Sequence, residues 1–318
     1  MEGTDAPRIP DRLNVALVLG VQSAAIGLIW CAARVEGVAV LALGIAFSFL
    51  LLTNYALLHE AAHDHLHSSR VGNALLGALA GSLFPASMSM VRVTHAIHHC
   101  YNRTDEEIFD LYHPRDNMLR KYVQWYTPLL GFFWLLVPLG SVLFGVFPGL
   151  LRTRLARIST TTKFMHEYFD ALAVRRVRLE LVFICVYWTA IWHLLALDWG
   201  TLAVFYGCVA FNWSTRQYVS HAYTARDVVN GALNLKVGKV MGAILLNGQW
   251  DQVHHQKPWL PWTALPAAGR WGTAPVDYAR QYFRMWRTGM QPVSEPAPAP
   301  LPRELRPPSS APASMSAN

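Results

Sequence analysis

Hydrophobic and polar positions are arranged along this chain in long blocks rather than in short alternations. Four long, mostly apolar blocks occupy residues 13–33, 38–58, 179–197 and 199–218. Each block has roughly the 17–25 residues that a helix needs to cross a bilayer. Charged residues make up 15% of the chain, whereas a soluble domain carries about 25%. The pattern therefore predicts an all-α integral membrane protein with four transmembrane helices.

The four blocks are expected to form two helical hairpins. Residues 34–36 join the first pair and residues 198–200 join the second, so both turns are very short. Both turns are poor in lysine and arginine, which places them on the outer side of the membrane by the positive-inside rule. The N-terminal tail, residues 1–12, the C-terminus and the long segment between the hairpins are then predicted to face the cytoplasm.

Two further apolar stretches, residues 71–91 and 125–150, are interrupted by helix-breaking residues. The interruptions are Gly77, Gly81 and Pro85 in the first stretch and Pro138, Gly140, Gly145 and Pro148 in the second. We interpret both stretches as interfacial or re-entrant segments, because a single crossing by the second would separate the histidine motifs described below. Residues 291–318 are rich in Pro, Ala and Ser and are predicted to be disordered, which leaves residues 13–290 as the membrane domain.

The formal net charge of +7 is concentrated in one segment between the hairpins. Its basic residues are Arg152, Arg154, Arg157, Lys163, Arg175, Arg176 and Arg178. One interpretation is orientation of the chain and contact with anionic lipid; another is a docking face for an acidic redox partner. Nucleic-acid binding is not favoured, because the charge lies between hydrophobic spans.

Three histidine motifs have the spacing of ligands on one helical face. The residues that define them are His59 and His63; His95, His98 and His99; and Asp251, His254 and His255. Positions three and four apart lie on the same side of a helix, so each motif presents its side chains together. Imidazole suits iron and zinc. Seven histidines exceed what one mononuclear site can use, so the motifs predict a site for two metal ions.

Other polar residues near these motifs are weaker candidates. His221 follows the last apolar block at the depth of the other histidines, so it is a candidate ligand. Asn247 precedes Asp251 by one helical turn and fits either the support of a metal-bound water or a plain helix cap. Glu60 lies inside the first motif and is a candidate for an outer contact to the ligands. The acidic run at residues 105–107 is most simply a solvated turn.

The remaining histidines and the cysteines are not expected to bind metal. His65 and His67 lie off the face of the first motif, so outer or surface roles are favoured, and the others are interpreted as surface or core residues: His113, His166 and His193. The four cysteines are scattered and form no CxxC pair. Neither a disulfide framework nor a cysteine-bound iron–sulfur site is therefore predicted.

The motifs resemble those of the integral-membrane fatty acid desaturase superfamily, which includes related hydroxylases and carotenoid ketolases. The matching sequences are HEAAH at 59–63, HAIHH at 95–99 and VHHQKPWLPWTALP at 253–266. The order of motifs and hairpins also matches, over roughly residues 13–266. One motif alone is a weak signal, whereas three in order with this topology are specific.

The resemblance implies a non-haem di-iron centre on the cytoplasmic face, with O2 as co-substrate. Carried over position by position, the ligands would be His59, His63, His95, His98, His99, His221, His254 and His255. The third motif of the family usually opens with His, or sometimes Gln, where this chain has Asp251. A carboxylate can bind iron and adds negative charge, so Asp251 is interpreted either as a ligand or as an outer contact.

The resemblance also implies an oxidoreductase, foremost a fatty acyl desaturase. Hydroxylation of an alkyl, acyl or carotenoid chain, carotenoid ketolation and oxidative decarboxylation are alternatives on the same scaffold. The substrate would be a long apolar acyl or isoprenoid chain. The sequence has no nicotinamide, flavin or haem motif, so electrons are expected from a separate ferredoxin- or rubredoxin-type carrier and its reductase. The expected location is a bacterial inner membrane.

Two other classes of protein compete with this interpretation. Residues 59–63 also fit HExxH, the motif of zinc proteases in which Glu60 would be the general base. That reading leaves the histidines of the second motif without a role. A metal transporter would need polar groups deep within the spans, whereas these motifs lie at the ends of spans and beyond.

Overall fold

The computed structural model describes residues 7–154, 156, 159–167, 169–269 and 273–301. These residues form α-helices joined by turns, one short 3₁₀ helix at Pro148–Arg152 and four two-residue strands, which confirms the all-α prediction. The helices are α1 Asp11–Ala32, α2 Val38–Ala62, α3 Arg70–Leu83, α4 Met88–Tyr101, α5 Met118–Leu129, α6 Phe133–Val146, α7 Thr160–Met165, α8 Ala171–Leu195, α9 Trp199–Ser214, α10 Lys239–Ile244, α11 Asp251–Gln256, α12 Leu265–Gly269 and α13 Tyr278–Thr288.

Three of the described helices, α1, α2 and α8, are long and apolar enough to cross a membrane. The fourth predicted span, residues 199–218, is shorter than expected because α9 ends at Ser214. Its 16 residues extend about 24 Å, against a hydrocarbon thickness of about 30 Å. Beyond Ser214 the N–H groups of Arg216 and Gln217 bond three residues back, so the chain continues as tight turns. Helix α8 begins at Ala171, so the arginines at 175–178 belong to this helix.

The two interrupted stretches are sharply bent helix pairs. Helices α3 and α4 meet at 93°, and α5 and α6 meet at 101°, as in broken spans or re-entrant loops. Pro85 lies in the first bend as predicted. In the second stretch Pro138 lies inside α6 and does not end it. The break is at Gly131, whose φ is +92° and where a Cβ would lie 2.8 Å from the Cα of Phe211.

Helix α2 is the centre of the bundle and packs against α1, α3, α4 and α9. Lipid is as apolar as a leucine side chain, so helices in a membrane associate through close packing and interhelical hydrogen bonds. Gly44 supplies the close packing, since a Cβ there would already touch Phe205 and Cys208 of α9 at 3.4 Å. Asn54 supplies a hydrogen bond, because its buried amide donates to the carbonyl of Ala80 on α3 at 2.8 Å.

The segments after α4 and after α9 form a cap at one end of the bundle. Two short parallel strand pairs join distant parts of this cap. Strand β1 (Leu111–Tyr112) pairs with β4 (Gln291–Pro292), and β2 (Leu235–Lys236) pairs with β3 (Val276–Asp277). The cap therefore draws together the chain that follows the second histidine motif and the chain that flanks the third.

The boundaries of the two predicted tails differ from the structure. Helix α1 begins at Asp11, inside the predicted N-terminal tail, and residues 1–6 lie outside the described residues. The tail predicted to be disordered begins with described residues: Gln291–Pro292 form β4, and residues up to Leu301 bond to Arg226 and Cys100. Sequence composition does not indicate these contacts, because most of the bonds are made by the backbone. Residues 302–318 and Arg157 of the basic segment lie outside the described residues.

Candidate metal centre

Helices α2 and α4 place the first two histidine motifs against each other. His59 and His63 are one turn apart at the end of α2, so both rings leave the helix on one side, and the ring centroids are 4.9 Å apart. Helix α4 runs beside α2 and presents His95 toward the same point, with its ring 4.3 Å from that of His59. The helical spacing seen in the sequence is thus what brings the first two motifs together.

Four imidazoles from three helices form the first of two groups that suit a metal ion, which we call the four-histidine cluster. Its members are His59, His63, His95 and His254. One ring nitrogen from each lies within 4.8 Å of the others. The Nε2 atom of His95 is 2.8 Å from Nε2 of His59 and 3.3 Å from Nε2 of His254.

A second group, which we call the three-histidine cluster, lies beside the first. Its members are His98, His221 and His255, whose ligand atoms also lie within 4.8 Å of one another. The Nε2 atoms of His98 and His255 are 3.2 Å apart. Helix α9 ends at Ser214, earlier than predicted, and His221 lies in the turns that follow it. These turns place His221 in the cluster.

Helices α4 and α11 each contribute to both clusters. His254 and His255 are neighbours on α11, and consecutive positions of a helix point about 100° apart. One therefore enters the four-histidine cluster and the other the three-histidine cluster. His99 of α4 lies between the two groups, with Nε2 2.9 Å from Nε2 of His95 and 3.0 Å from Nε2 of His254.

Outer contacts fix the orientation of two rings of the three-histidine cluster. Nδ1 of His98 is 2.6 Å from the carboxylate of Glu107, and Nδ1 of His221 is 3.2 Å from the carbonyl oxygen of Gly231. Each acceptor holds a proton on Nδ1, which leaves Nε2 free to bind a metal. Reading residues 105–107 as a solvated turn was wrong for Glu107. The available signal was an acidic residue closely following the second motif.

Gly231 is a position where only glycine fits. A Cβ there would lie 2.2 Å from the carbonyl oxygen of Asp227 and 2.4 Å from Cγ of Arg103. The carbonyl group of Gly231 also accepts hydrogen bonds from the side chains of Asn102 and Thr224. The same backbone group therefore orients His221 and joins it to the chain that follows α4.

Asp251 faces the three-histidine cluster. Its Oδ2 atom is 3.2 Å from Nε2 of His221 and is buried without a hydrogen-bond partner. With the proton of His221 on Nδ1, both facing atoms are acceptors. A metal ion bound to both atoms would remove the repulsion between them. This geometry favours interpreting Asp251 as a ligand rather than as an outer contact.

Burial disfavours the charged form of three imidazoles of the site: His221, His254 and His255. Burial lowers the pKa of His254 and His255 well below the usual histidine range, and neighbouring histidines lower it further. Burial also lowers the pKa of His221, although the carboxylate of Asp251 opposes this effect. Metal ions bind the neutral form of imidazole. The fold therefore stabilises the protonation state that a metal needs.

The geometry and donor set fit a pair of transition-metal ions. Imidazole nitrogens about 2.1 Å from a common ion lie roughly 3.0–3.4 Å from one another, close to the observed separations of 2.8–3.3 Å. Nε2 of His63 and Oδ2 of Asp251 are buried without protein partners. Nitrogen donors with few carboxylates suit iron or zinc. Of the other histidines, His113 bonds to Asp105 and His166 to a backbone carbonyl, as expected for residues outside the site.

Glu60 lies beside the site but on the far side of His59. Its carboxylate is 3.8 Å from Nδ1 of His59 and accepts a hydrogen bond from the backbone N–H of Trp262 at 3.0 Å. The general base of a zinc protease must instead reach the metal side, which His59 presents through Nε2. The buried carboxylate thus acts as an anchor, and the position argues against the protease alternative.

Trp262 is a residue of this region that the sequence did not single out. Its indole N–H donates to the side chain of Asn14 on α1 at 3.0 Å, and its carbonyl group accepts from the side chain of Asn247 at 3.2 Å. Asn247 therefore supports the chain after the third motif. The contacts of Trp262 tie this part of the chain to α1 and α2.

Comparison with known proteins agrees with the geometry of the site. No curated protein matches the sequence significantly. The family model of fatty acid desaturases, however, matches residues 36–289. This range contains α2, both histidine clusters, Asp251 and Glu107, and it covers most of the chain. The histidine motifs, the apolar helices and this match lead to one conclusion: the chain belongs to the fatty acid desaturase family, a family of membrane oxidoreductases.

Proposed function

We propose that this protein is an O2-dependent di-iron oxidoreductase that introduces a double bond into a fatty acyl chain. The observation that carries the proposal is the pair of adjacent clusters of imidazoles at the ends of apolar helices. We assign the following residues as ligands: His59, His63, His95 and His254 in one cluster; His98, His221, His255 and Asp251 in the other; and His99 between them. Two iron ions held there would supply the oxidising chemistry that removes hydrogen from an unactivated C–H bond.

The protein's own contribution is to orient the ligands and to present an apolar path to them. Glu107 and Gly231 hold two imidazoles with Nε2 facing inward. One helical turn before His59, the ring of Tyr55 lies 6.5 Å from the imidazole. The rings of Phe84 and Trp213 each lie 5.0 Å from that of Tyr55. This aromatic group on the bilayer side of His59 suits a hydrocarbon chain that arrives from the membrane.

Electrons and substrate are proposed to reach the centre from different sides. The long apolar substrate, acyl or isoprenoid, is drawn from membrane lipid. A separate ferredoxin- or rubredoxin-type carrier, with its reductase, brings electrons to the basic segment, where Arg152 and Arg154 are exposed. We place the centre and both termini on the cytoplasmic side of a bacterial inner membrane, because the connection between α1 and α2 is short and poor in basic residues.

The test is lipid and pigment profiling by mass spectrometry in a host that expresses the chain under ¹⁸O2. Wild-type protein is expected to give a product that lacks two hydrogens and carries no label. His98→Ala removes a ligand of the three-histidine cluster and is expected to abolish the product and reduce bound iron. His166→Ala is the matched control, because His166 is exposed and lies outside both clusters.

The outcomes separate the chemical alternatives. Label in the product would replace desaturation with hydroxylation or ketolation on the same centre. A shortened terminal alkene would indicate oxidative decarboxylation. Full activity in the His98→Ala variant would refute the assignment of the clusters as the catalytic centre.

A further inference from the structure

The segment after α13 returns to the metal centre. Residues 291–301, which we call the C-terminal strap, follow the region matched by the desaturase family model, which ends at residue 289. The strap is therefore a feature of this chain beyond the family domain. It lies along residues 100–112, the part of the chain that leaves the second histidine motif.

Both ends of the strap are bonded to the backbone. At its start the N–H of Gln291 donates to the carbonyl of Asp110 at 2.8 Å, and the N–H of Val293 donates to the carbonyl of Tyr112 at 2.9 Å. At its end the N–H of Leu301 donates to the carbonyl of Cys100 at 3.0 Å. Cys100 directly follows the second motif on α4, so the strap meets the helix that supplies both clusters.

The side chain of Leu301 adds an apolar anchor. It packs against a buried group formed by α4, α6, α7 and α8, which includes Ile97, Tyr101 and Met165. Leu301 is half-buried, and a charged group placed at this position would lose that packing, which costs stability. Leu301 thus anchors the end of the strap against the back of the second motif.

Arg226 connects the middle of the strap to the same segment. Its backbone N–H donates to the carboxylate of Glu295 at 3.1 Å, and its Nη1 donates to the Glu295 carbonyl at 3.0 Å. The same guanidinium donates to Asp105 at 2.6 Å and to the carbonyl of Arg103 at 3.2 Å. Arg226 is buried, so displacement of the strap would remove the Glu295 carbonyl from Nη1 and leave part of a charged group unsatisfied.

The segment held in this way, residues 102–110, carries Glu107, the carboxylate that orients His98. We propose that the C-terminal strap is a positioning element of the three-histidine cluster, a proposal that rests on the two-metal centre described above. The strap bonds Cys100 just before this segment and Asp110 at its end, and Arg226 links Glu295 of the strap to Asp105 in its middle. These contacts hold Glu107 against Nδ1 of His98. Among the described residues, no hydrogen bond joins this segment to a ligand of the four-histidine cluster.

The test is an anaerobic Co²⁺ titration of the full-length protein in detergent. Binding is monitored through the visible absorption of the bound ion. The strap variant combines Glu295→Ala with Leu301→Asp, and Glu295→Gln is the matched control because an amide oxygen still accepts from Arg226. Two markers are run beside them. His221→Ala identifies the binding step that belongs to the three-histidine cluster, and Glu107→Gln shows the effect of weakening the contact to His98.

Wild-type protein is expected to bind two Co²⁺ ions. The strap variant is expected to bind the ion of the three-histidine cluster at least about tenfold more weakly, the usual effect of losing an outer contact to a ligand. It should match Glu107→Gln and leave the other ion unchanged. The control should behave as wild type.

Two results for the strap variant would overturn the proposal. Wild-type affinity at both sites would mean that the strap does not position Glu107. Equal loss of both ions, or failure to fold, would make the strap a general stability element. A wild-type chain that binds fewer than two Co²⁺ ions would instead refute the two-metal centre itself. Two bound ions without any lipid product would refute only the proposed reaction.

Discussion

Replacing Asp251 with asparagine is expected to change metal-free and metal-bound protein in opposite directions. Oδ2 of Asp251 and Nε2 of His221 face each other at 3.2 Å, and Oδ2 is buried without a hydrogen-bond partner. In the metal-free protein this buried, unpaired acceptor costs about 1–3 kcal/mol. An asparagine amide N–H in the same place would donate to Nε2. The metal-free variant is therefore expected to be more stable than wild type.

The affinity for metal should be lower in the same variant. Losing an outer contact to a ligand costs about 10–100-fold in affinity, so losing a charged ligand should cost at least about 100-fold, or roughly 2.7 kcal/mol. The loss should fall on the ion of the three-histidine cluster. The bound metal is then expected to drop from two ions to one at metal concentrations that saturate wild type.

Two assays on detergent-solubilised protein check the expected gain in metal-free stability and the expected loss of metal binding. Thermal unfolding in the presence of a chelator should show a rise of a few degrees, since one kcal/mol shifts the midpoint by about 2–4 °C in large domains. Iron analysis after anaerobic loading should show the lost ion. Asp277→Asn is the matched control, because Asp277 is exposed and caps α13, where asparagine caps equally well. Wild-type metal content, or a less stable metal-free variant, would refute the reasoning.

Three further predictions concern the surroundings of the site. Gly231→Ala puts a Cβ 2.2 Å from the carbonyl oxygen of Asp227, so we expect loss of one bound ion and about 1–3 kcal/mol of stability; unchanged metal content would contradict this. Trp262→Phe removes the indole hydrogen bond and should cost about 1 kcal/mol in chelator-treated unfolding with metal content retained. Burial lowers the pKa of His254 and His255, so protons bind the unfolded state more tightly. The free energy of unfolding of the metal-free protein should therefore fall as pH drops below about 6.5, by up to about 1.4 kcal/mol per pH unit for each histidine. A thermal midpoint that is flat between pH 7.5 and 5.5 would show that these rings are not buried neutral.

The spans and the candidate ligands were predictable because their signals are local. Apolar length identifies α1, α2 and α8 as candidate spans, and the spacing of three and four residues identifies the histidines that a helix presents together. The first bend was predictable in place, at Pro85, whereas the second was predictable only in kind. Pro138 fits inside α6, whereas the break occurs at Gly131, where α9 approaches too closely for a side chain.

The supports of the site were not predictable because they depend on contacts between distant segments. Glu107 looks like a solvated residue until the fold places it against His98. The backbone N–H of Trp262 bonds to Glu60, and the backbone carbonyl of Gly231 bonds to His221. No local sequence pattern encodes such bonds. The same holds for the C-terminal strap, where composition predicted disorder and the order comes from pairing with residues 100–112.

The distance along the chain between the histidine motifs determines when the centre can form. His95 and His254, which meet in the four-histidine cluster, are 159 positions apart. At a synthesis rate of about 5–20 residues per second, His95 on α4 is made roughly 8–30 s before His254 on α11. During that time α1 and α2 can already occupy the bilayer while half of the metal ligands stand exposed. The complete four-histidine cluster can therefore form only after α11 has been synthesised, when the rest of the bundle is already made.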